Sequence, residues 1–134
     1  MSERSQYLLA LYIVEHRHRP PVAPGRVAEL VGRTPATAIE AFHRFDDEGL
    51  VDYEPYEGVE LTGRGRAVAS DLHETYVTLS WFFRSVLELD DYEGEAMQMA
   101  GVLSPHVAGR LASTLPYEGP DGEEGAASMR NGEE

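Results

Sequence analysis

Between Glu48 and Arg66 the chain reads EGLVDYEPYEGVELTGRGR, the only stretch patterned as a β-hairpin. Leu50–Glu54 and Val59–Thr62 are rich in β-formers, and Pro55-Tyr56-Glu57-Gly58 supplies a turn between them. The remaining apolar residues recur at three- and four-residue spacing, the period of helices. One hairpin among helices limits the architectures open to the chain, and its position in the order of elements narrows them further.

Ser5–Glu15 carries apolar residues at 7, 8, 11, 12 and 14, a helical stripe that Arg19-Pro20-Pro21 ends. Pro24 suits the first turn of a second helix through Arg26–Leu30, which Gly32 stops. Thr34-Pro35 is a hydroxyl cap followed by proline at the first helical position, and opens a third helix to Glu48 with Ile39, Phe42 and Phe45 on its apolar face. The hairpin follows directly. Helix, helix, turn, helix and hairpin make a winged helix-turn-helix, with the hairpin as the wing.

Beyond it, Gly63–Leu87 predicts one long amphipathic helix through Val68, Leu72, Tyr76, Leu79, Phe83 and Val86. Glu93–Val102 predicts a shorter helix, and Ser104-Pro105 starts a last one through Val107, Leu111 and Leu115. From Glu118 onward the chain has six acids and one arginine, a net of −5, and is expected to be a disordered tail. The fold expected is mainly α with one hairpin: a winged helix-turn-helix at 1–62, a helical dimerisation domain at 63–116 and an acidic tail at 117–134.

Charge bears on the partner. There are 24 acids against 11 basic residues, a net of −13, and every basic residue is arginine. An acidic, lysine-free surface is the composition expected of a proteome working at high salt, such as a haloarchaeal one. Repulsion between carboxylates is screened there, the Debye length falling to about 3 Å at 1 M salt. The absence of cysteine excludes disulfides and thiolate metal sites and favours a cytoplasmic location. No apolar run is long enough to span a membrane, and the N-terminus lacks the shape of a signal peptide.

In a helix-turn-helix the second helix enters the major groove with its first residues toward base edges. Here those are Thr34, Pro35, Ala36, Thr37, Glu40 and Ala41. Thr37 can hydrogen-bond a base or phosphate, while Ala36 and Ala41 can meet thymine methyls. Arg33, Arg44, Arg64 and Arg66 are expected on phosphates, with Tyr56 at the wing tip. Thr34 caps its helix whether or not DNA is present, and Arg44 can instead pair with Glu40 or Glu48 on its own helix. Residues 1–66 hold eight arginines and eleven acids, a net of −3, with Glu40 and Glu57 on the supposed contact face. Affinity from counterion release is therefore poor. That contribution is small for any protein in multimolar salt, where base contacts, shape and apolar burial must carry binding.

Several motifs fix a resemblance: Tyr7-Leu8-x-x-Leu11-Tyr12, Val27-Ala28-Glu29-Leu30, Asp47-Glu48-Gly49-Leu50-Val51, Leu61-Thr62-x-x-Gly65-Arg66, Glu95-Ala96 and Leu103-Ser104. On these the chain resembles the DtxR/MntR family of metal-dependent repressors in its short form, over residues 5 to about 115. The resemblance implies a homodimer built on the C-terminal helices and a palindromic double-stranded DNA operator, with Mn or Fe as effector. The family's metal ligands do not carry over: their positions fall on Gln6, Leu9, Tyr76, Met97, Ala100 and Gly101. A Mn²⁺ or Fe²⁺ site needs several converging O or N donors, so no cofactor is expected. His73 and Glu74 are the remaining candidates for a shifted site, and adjacent helical residues point about 100° apart.

The helical half is rich in large apolar side chains: Tyr76, Leu79, Trp81, Phe82, Phe83, Val86, Met97, Val102 and Leu111. About 54 residues in three helices cannot cover them all, and a two-fold dimer buries the excess. No nucleophile–base pair or phosphate-cradling glycine loop points to an enzyme. Three readings stand: a homodimeric DNA-binding regulator, expected to repress, without metal gating; a Mn/Fe-responsive repressor with non-standard ligands; and a dimerising interaction protein that has lost DNA binding.

Overall fold

The computed structural model describes residues 2–115, so the acidic tail expected at 117–134 lies outside the described residues. The elements are α1 (Ser2–Glu15), α2 (Pro24–Val31), α3 (Pro35–Asp47), β1 (Val51–Glu54), β2 (Gly58–Leu61), α4 (Gly63–Ser85), α5 (Tyr92–Ala100) and α6 (Pro105–Ser113). This is the expected order: a mostly helical chain with an antiparallel hairpin, a winged helix at its N-terminal end and helices after it.

Local chemistry accounts for most boundaries. Thr34 caps α3, its Oγ1 accepting the Thr37 N–H at 3.2 Å, with Pro35 at the first helical position. Ser104 and Pro105 repeat the device at α6, where Ser104 Oγ accepts the Val107 N–H at 3.2 Å. Asp91 caps α5, and Glu93 and Glu95 in its first turn complement the helix dipole.

The core of the winged helix gathers Tyr7 and Leu11 from α1, Val27 from α2, Phe42 and Phe45 from α3, and Val51 and Val59 from the hairpin. Tyr7 meets Phe42 edge to face, with centroids 6.1 Å apart. Burying each such side chain stabilises the fold by about 1.5–3 kcal/mol. Unlike a surface helix, α1 is buried over most of its circumference at Tyr7, Leu8, Leu9, Ala10, Leu11 and Val14.

The hairpin pairs Val51 with Leu61 and Tyr53 with Val59. It also has a third participant that the sequence pattern did not reveal. Val22, in the proline-rich loop after α1, bridges Val59 through two backbone hydrogen bonds of 2.9 Å. Gly58 makes room for this approach: a Cβ there would lie 2.6 Å from the Val22 carbonyl oxygen, and its φ is +129°.

The junction into α4 explains the Leu61-Thr62-x-x-Gly65 motif physically. Thr62 Oγ1 donates to the Gly49 carbonyl at 2.7 Å and accepts the Gly65 N–H at 3.0 Å, so one hydroxyl ties the end of α3 to the start of α4. Any Cβ at Gly65 would overlap the Leu50 carbonyl oxygen.

Contacts divide the chain into two compact units, the first ending at Glu74 and the second beginning at Thr75. The sequence division at 62/63 assigns all of α4 to the second half. The first unit runs further because Ala69 is fully buried in the winged-helix core and Leu72 packs against it. In the second unit Leu79, Ala96 and Ala100 are buried.

Candidate nucleic-acid interface

Helix α3 turns Ala38, Ala41, Phe42 and Phe45 into the core, an i, i+3, i+4, i+7 set. Pro35, Ala36, Glu40, His43 and Arg44 face outward, with Thr37 and Ile39 half-buried. This corrects the sequence expectation in one respect. Ala41 was placed on the reading face, but only 3% of it is exposed. The two alanines give α3 a small-residue edge that packs into the core, while Ile39 turns partly outward. A thymine-methyl contact from Ala41 is therefore withdrawn, whereas Ala36 remains accessible.

The Thr37 hydroxyl lies 2.9 Å from that of Thr34, so the cap and the proposed contact residue share a hydrogen bond. His43 packs edge-on against Tyr53 of the wing, with centroids 5.1 Å apart. Between the starts of α2 and α3 and the wing lies a cavity of about 480 Å³ lined by Pro24, Pro35, Ile39, Tyr53, Pro55 and Tyr56. Tyr56 at the wing tip is fully exposed, with φ at +68°.

The four arginines proposed for phosphate contact occupy different situations. Arg44 is exposed and has no carboxylate partner among the described residues; neither Glu40 nor Glu48 pairs with it. Glu48 instead meets Arg4, whose guanidinium also lies over the Phe45 ring. Arg64 donates to the Glu48 carbonyl at 2.6 Å, satisfying an end carbonyl of α3. Arg66 sits 2.9 Å from Glu15 Oε1. Arg33 is exposed and reaches the Gly32 carbonyl at 3.4 Å.

Sequence reasoning missed Glu15. Its side chain is 2% exposed and Oε2 accepts the Leu61 N–H at 2.7 Å, so it joins α1 to the wing and, through Arg66, to α4. It missed a polar cleft as well: Arg17, His18, Arg26 and Glu29 line a cavity of about 220 Å³ beside α2. The clustering of arginine in the 17–33 segment was the available signal.

Among the described residues no three His, Cys, Asp or Glu side chains are grouped to hold an ion. Leu9 and Ala100, two of the positions on which the resemblance places ligands, are buried apolar side chains. His73 is half-buried with its ring 5.2 Å from that of Tyr12, while Glu74 faces solvent. Burial, and then the charge of nearby His16, hold the His73 pKa below its ordinary value.

In the second unit Trp81, Phe82, Phe83, Met97 and Leu111 are half-buried, Tyr76 likewise, and Val86 and Val102 are exposed. Leu79 departs from the expectation of an interface residue: it is 4% exposed and buried within its own chain. No described helix is long and apolar enough to cross a membrane.

These features define a winged-helix domain followed by helices. Residues 1–59 match the family model described as iron dependent repressor, N-terminal DNA binding domain. An uncharacterized HTH-type transcriptional regulator of Methanocaldococcus jannaschii, MJ0568, is 27% identical over 107 residues, covering 78% of this chain and 86% of that protein. Among solved structures, a manganese-dependent transcriptional repressor in complex with manganese superposes with a TM-score of 0.72 at 24% identity, covering 82% of this chain and 51% of that one. The manganese regulator SloR gives 0.70 at 22%, covering 82% and 52%. The chain thus spans about half the length of these solved regulators.

Proposed function

We propose that the chain is a DtxR/MntR-like transcriptional regulator, a repressor, that binds a palindromic operator as a homodimer. Helix α3 enters the major groove and the Tyr56 wing lies on the adjacent backbone. The observation that carries this reading is the exposed set Pro35, Ala36, Glu40 and Arg44 on α3, beside a fully exposed wing tip, in a domain matching a DNA-binding family model. Arg44 supplies a phosphate contact without first breaking an ion pair, and Ala36 and Thr37 face bases. The acidic, lysine-free composition suits operation in high salt, where counterion release contributes little. Regulation proceeds without the metal gating of the family, because Gln6, Leu9, Tyr76, Met97, Ala100 and Gly101 offer no adequate donor set.

One observation favours a second reading, that of a dimerising interaction protein without DNA affinity: Glu40 and Glu57 are exposed on the face that would meet phosphates. Selection from a random duplex pool in molar KCl, with and without Mn²⁺, decides between them. Enrichment of a two-fold symmetric sequence, equal in both arms, is expected. No enriched sequence in either arm would leave the interaction reading standing. Enrichment only with Mn²⁺ would restore a metal-responsive repressor with unrecognised ligands.

A further inference from the structure

The second unit holds a cavity of about 350 Å³, walled by Tyr76, Ser80, Trp81 and Arg84 of α4 and by Tyr92 and Glu93 at the start of α5. Its size falls within the range of small-molecule sites, about 300–1,000 Å³. Three features of its lining are unusual together.

The first is Ser80. Its hydroxyl oxygen is buried and has no hydrogen-bond partner among the described residues. Buried hydroxyls are seldom left so, and a helical serine ordinarily returns its hydrogen bond to the preceding turn. The second is Arg84. In a chain with 24 acids and 11 basic residues, this arginine has no carboxylate partner among the described residues. Its guanidinium instead lies over the Tyr92 ring, 5.7 Å from the centroid, which holds it at the cavity rim. The third is Glu93, a single opposite charge lining the same cavity.

We propose that this cavity binds a small aromatic α-amino acid. The ring is taken up among Tyr76, Trp81 and Tyr92, the carboxylate meets the Arg84 guanidinium and the Ser80 hydroxyl, and the ammonium group turns toward Glu93. Rim charges of both signs select a zwitterion over a phosphate or a dicarboxylate, each of which would meet Glu93 unfavourably. The proposal is independent of DNA binding, and its test uses no DNA.

Trp81 is the single tryptophan and reports on the cavity directly. The experiment is a fluorescence titration of the full chain with L-phenylalanine in molar salt at fixed protein concentration. A saturable change is expected. Arg84→Gln should weaken the half-saturation point by about tenfold or more, the scale of one charge-assisted hydrogen bond. Ser80→Ala should weaken it several-fold while leaving thermal stability of the free protein unchanged or raised, since it removes an unpaired hydroxyl. Benzoate and 2-phenylethylamine, each carrying one of the two charges, should both bind more weakly than phenylalanine. The proposal is overturned by the absence of a saturable change at millimolar phenylalanine, by an unaltered titration in Arg84→Gln and Ser80→Ala, by benzoate binding as tightly as phenylalanine, or by a signal that follows protein concentration instead of ligand.

Discussion

Arg66 stands 2.9 Å from Glu15, and the two differ sharply in burial: the Glu15 side chain is 2% exposed, that of Arg66 46%. The carboxylate therefore belongs to the interior and the guanidinium to its rim. With Oε2 accepting the Leu61 N–H, Glu15 is the point at which α1, the wing and α4 meet. Glu15→Ala strips the Leu61 N–H of its acceptor, a loss of about 1–3 kcal/mol. Arg66→Ala costs less, because half of that side chain is already in water and its attraction is screened. Urea unfolding of both variants checks the order; equal midpoints would show that Arg66, not the Leu61 bond, sets the value of the carboxylate.

Acid should weaken the winged helix through His73. Burial, then the charge of His16, lower its pKa from 6.5 in the fold. In the unfolded chain it takes up its proton first, so the unfolded state binds more protons once pH falls below about 6.5. Stability is complete above that value and declines as pH drops toward the lower folded pKa. Unfolding free energy measured from pH 7.5 to 5 should fall, and the slope should flatten in His73→Gln. An unchanged slope in that variant assigns the acid sensitivity to other groups.

Arg44→Ala should weaken binding to every operator sequence by a similar factor and reduce the dependence of log affinity on log salt by about one unit. Fold stability should not change, because Arg44 has no carboxylate partner among the described residues. Fluorescence anisotropy across a salt series, with one strong and one weak duplex, separates this from loss of base reading. A variant that loses only the strong site would move Arg44 from the backbone to the bases.

Within the second unit, Phe83 and Leu79 should behave differently. Phe83 is half-buried, and Phe83→Glu is expected to yield a folded monomer by sedimentation. Leu79 is buried in its own chain, so Leu79→Ala should cost about 2–5 kcal/mol of stability. A dimer retained by Phe83→Glu at micromolar concentration would remove this face as the association surface.

The order of elements was legible because its signals are local. Thr34-Pro35 and Ser104-Pro105 act on the next three residues, and a hairpin needs only its own turn. The phase of α3 was less legible. Phe42 and Phe45 fit a stripe completed by Ile39 or one completed by Ala38 and Ala41, and alanine's small apolar surface does not choose; packing against α1 and α2 does. Glu15 was illegible for a different reason. A carboxylate ending an apolar helix looks solvated until Leu61, 46 positions away, is brought beside it. The Val22–Val59 bridge fails the same way, since a single pair leaves no alternation to detect. Leu79 sits on the same apolar stripe as the half-buried Tyr76 and Phe83, and the spacing alone does not say which member points inward.

Gly65 lies so close to the Leu50 carbonyl that no methyl group fits between them. The root of the long helix and the residue just before the hairpin thus have no clearance for a side chain between them. A side chain introduced at that root would have to push the start of the hairpin aside before the helix could form where it does.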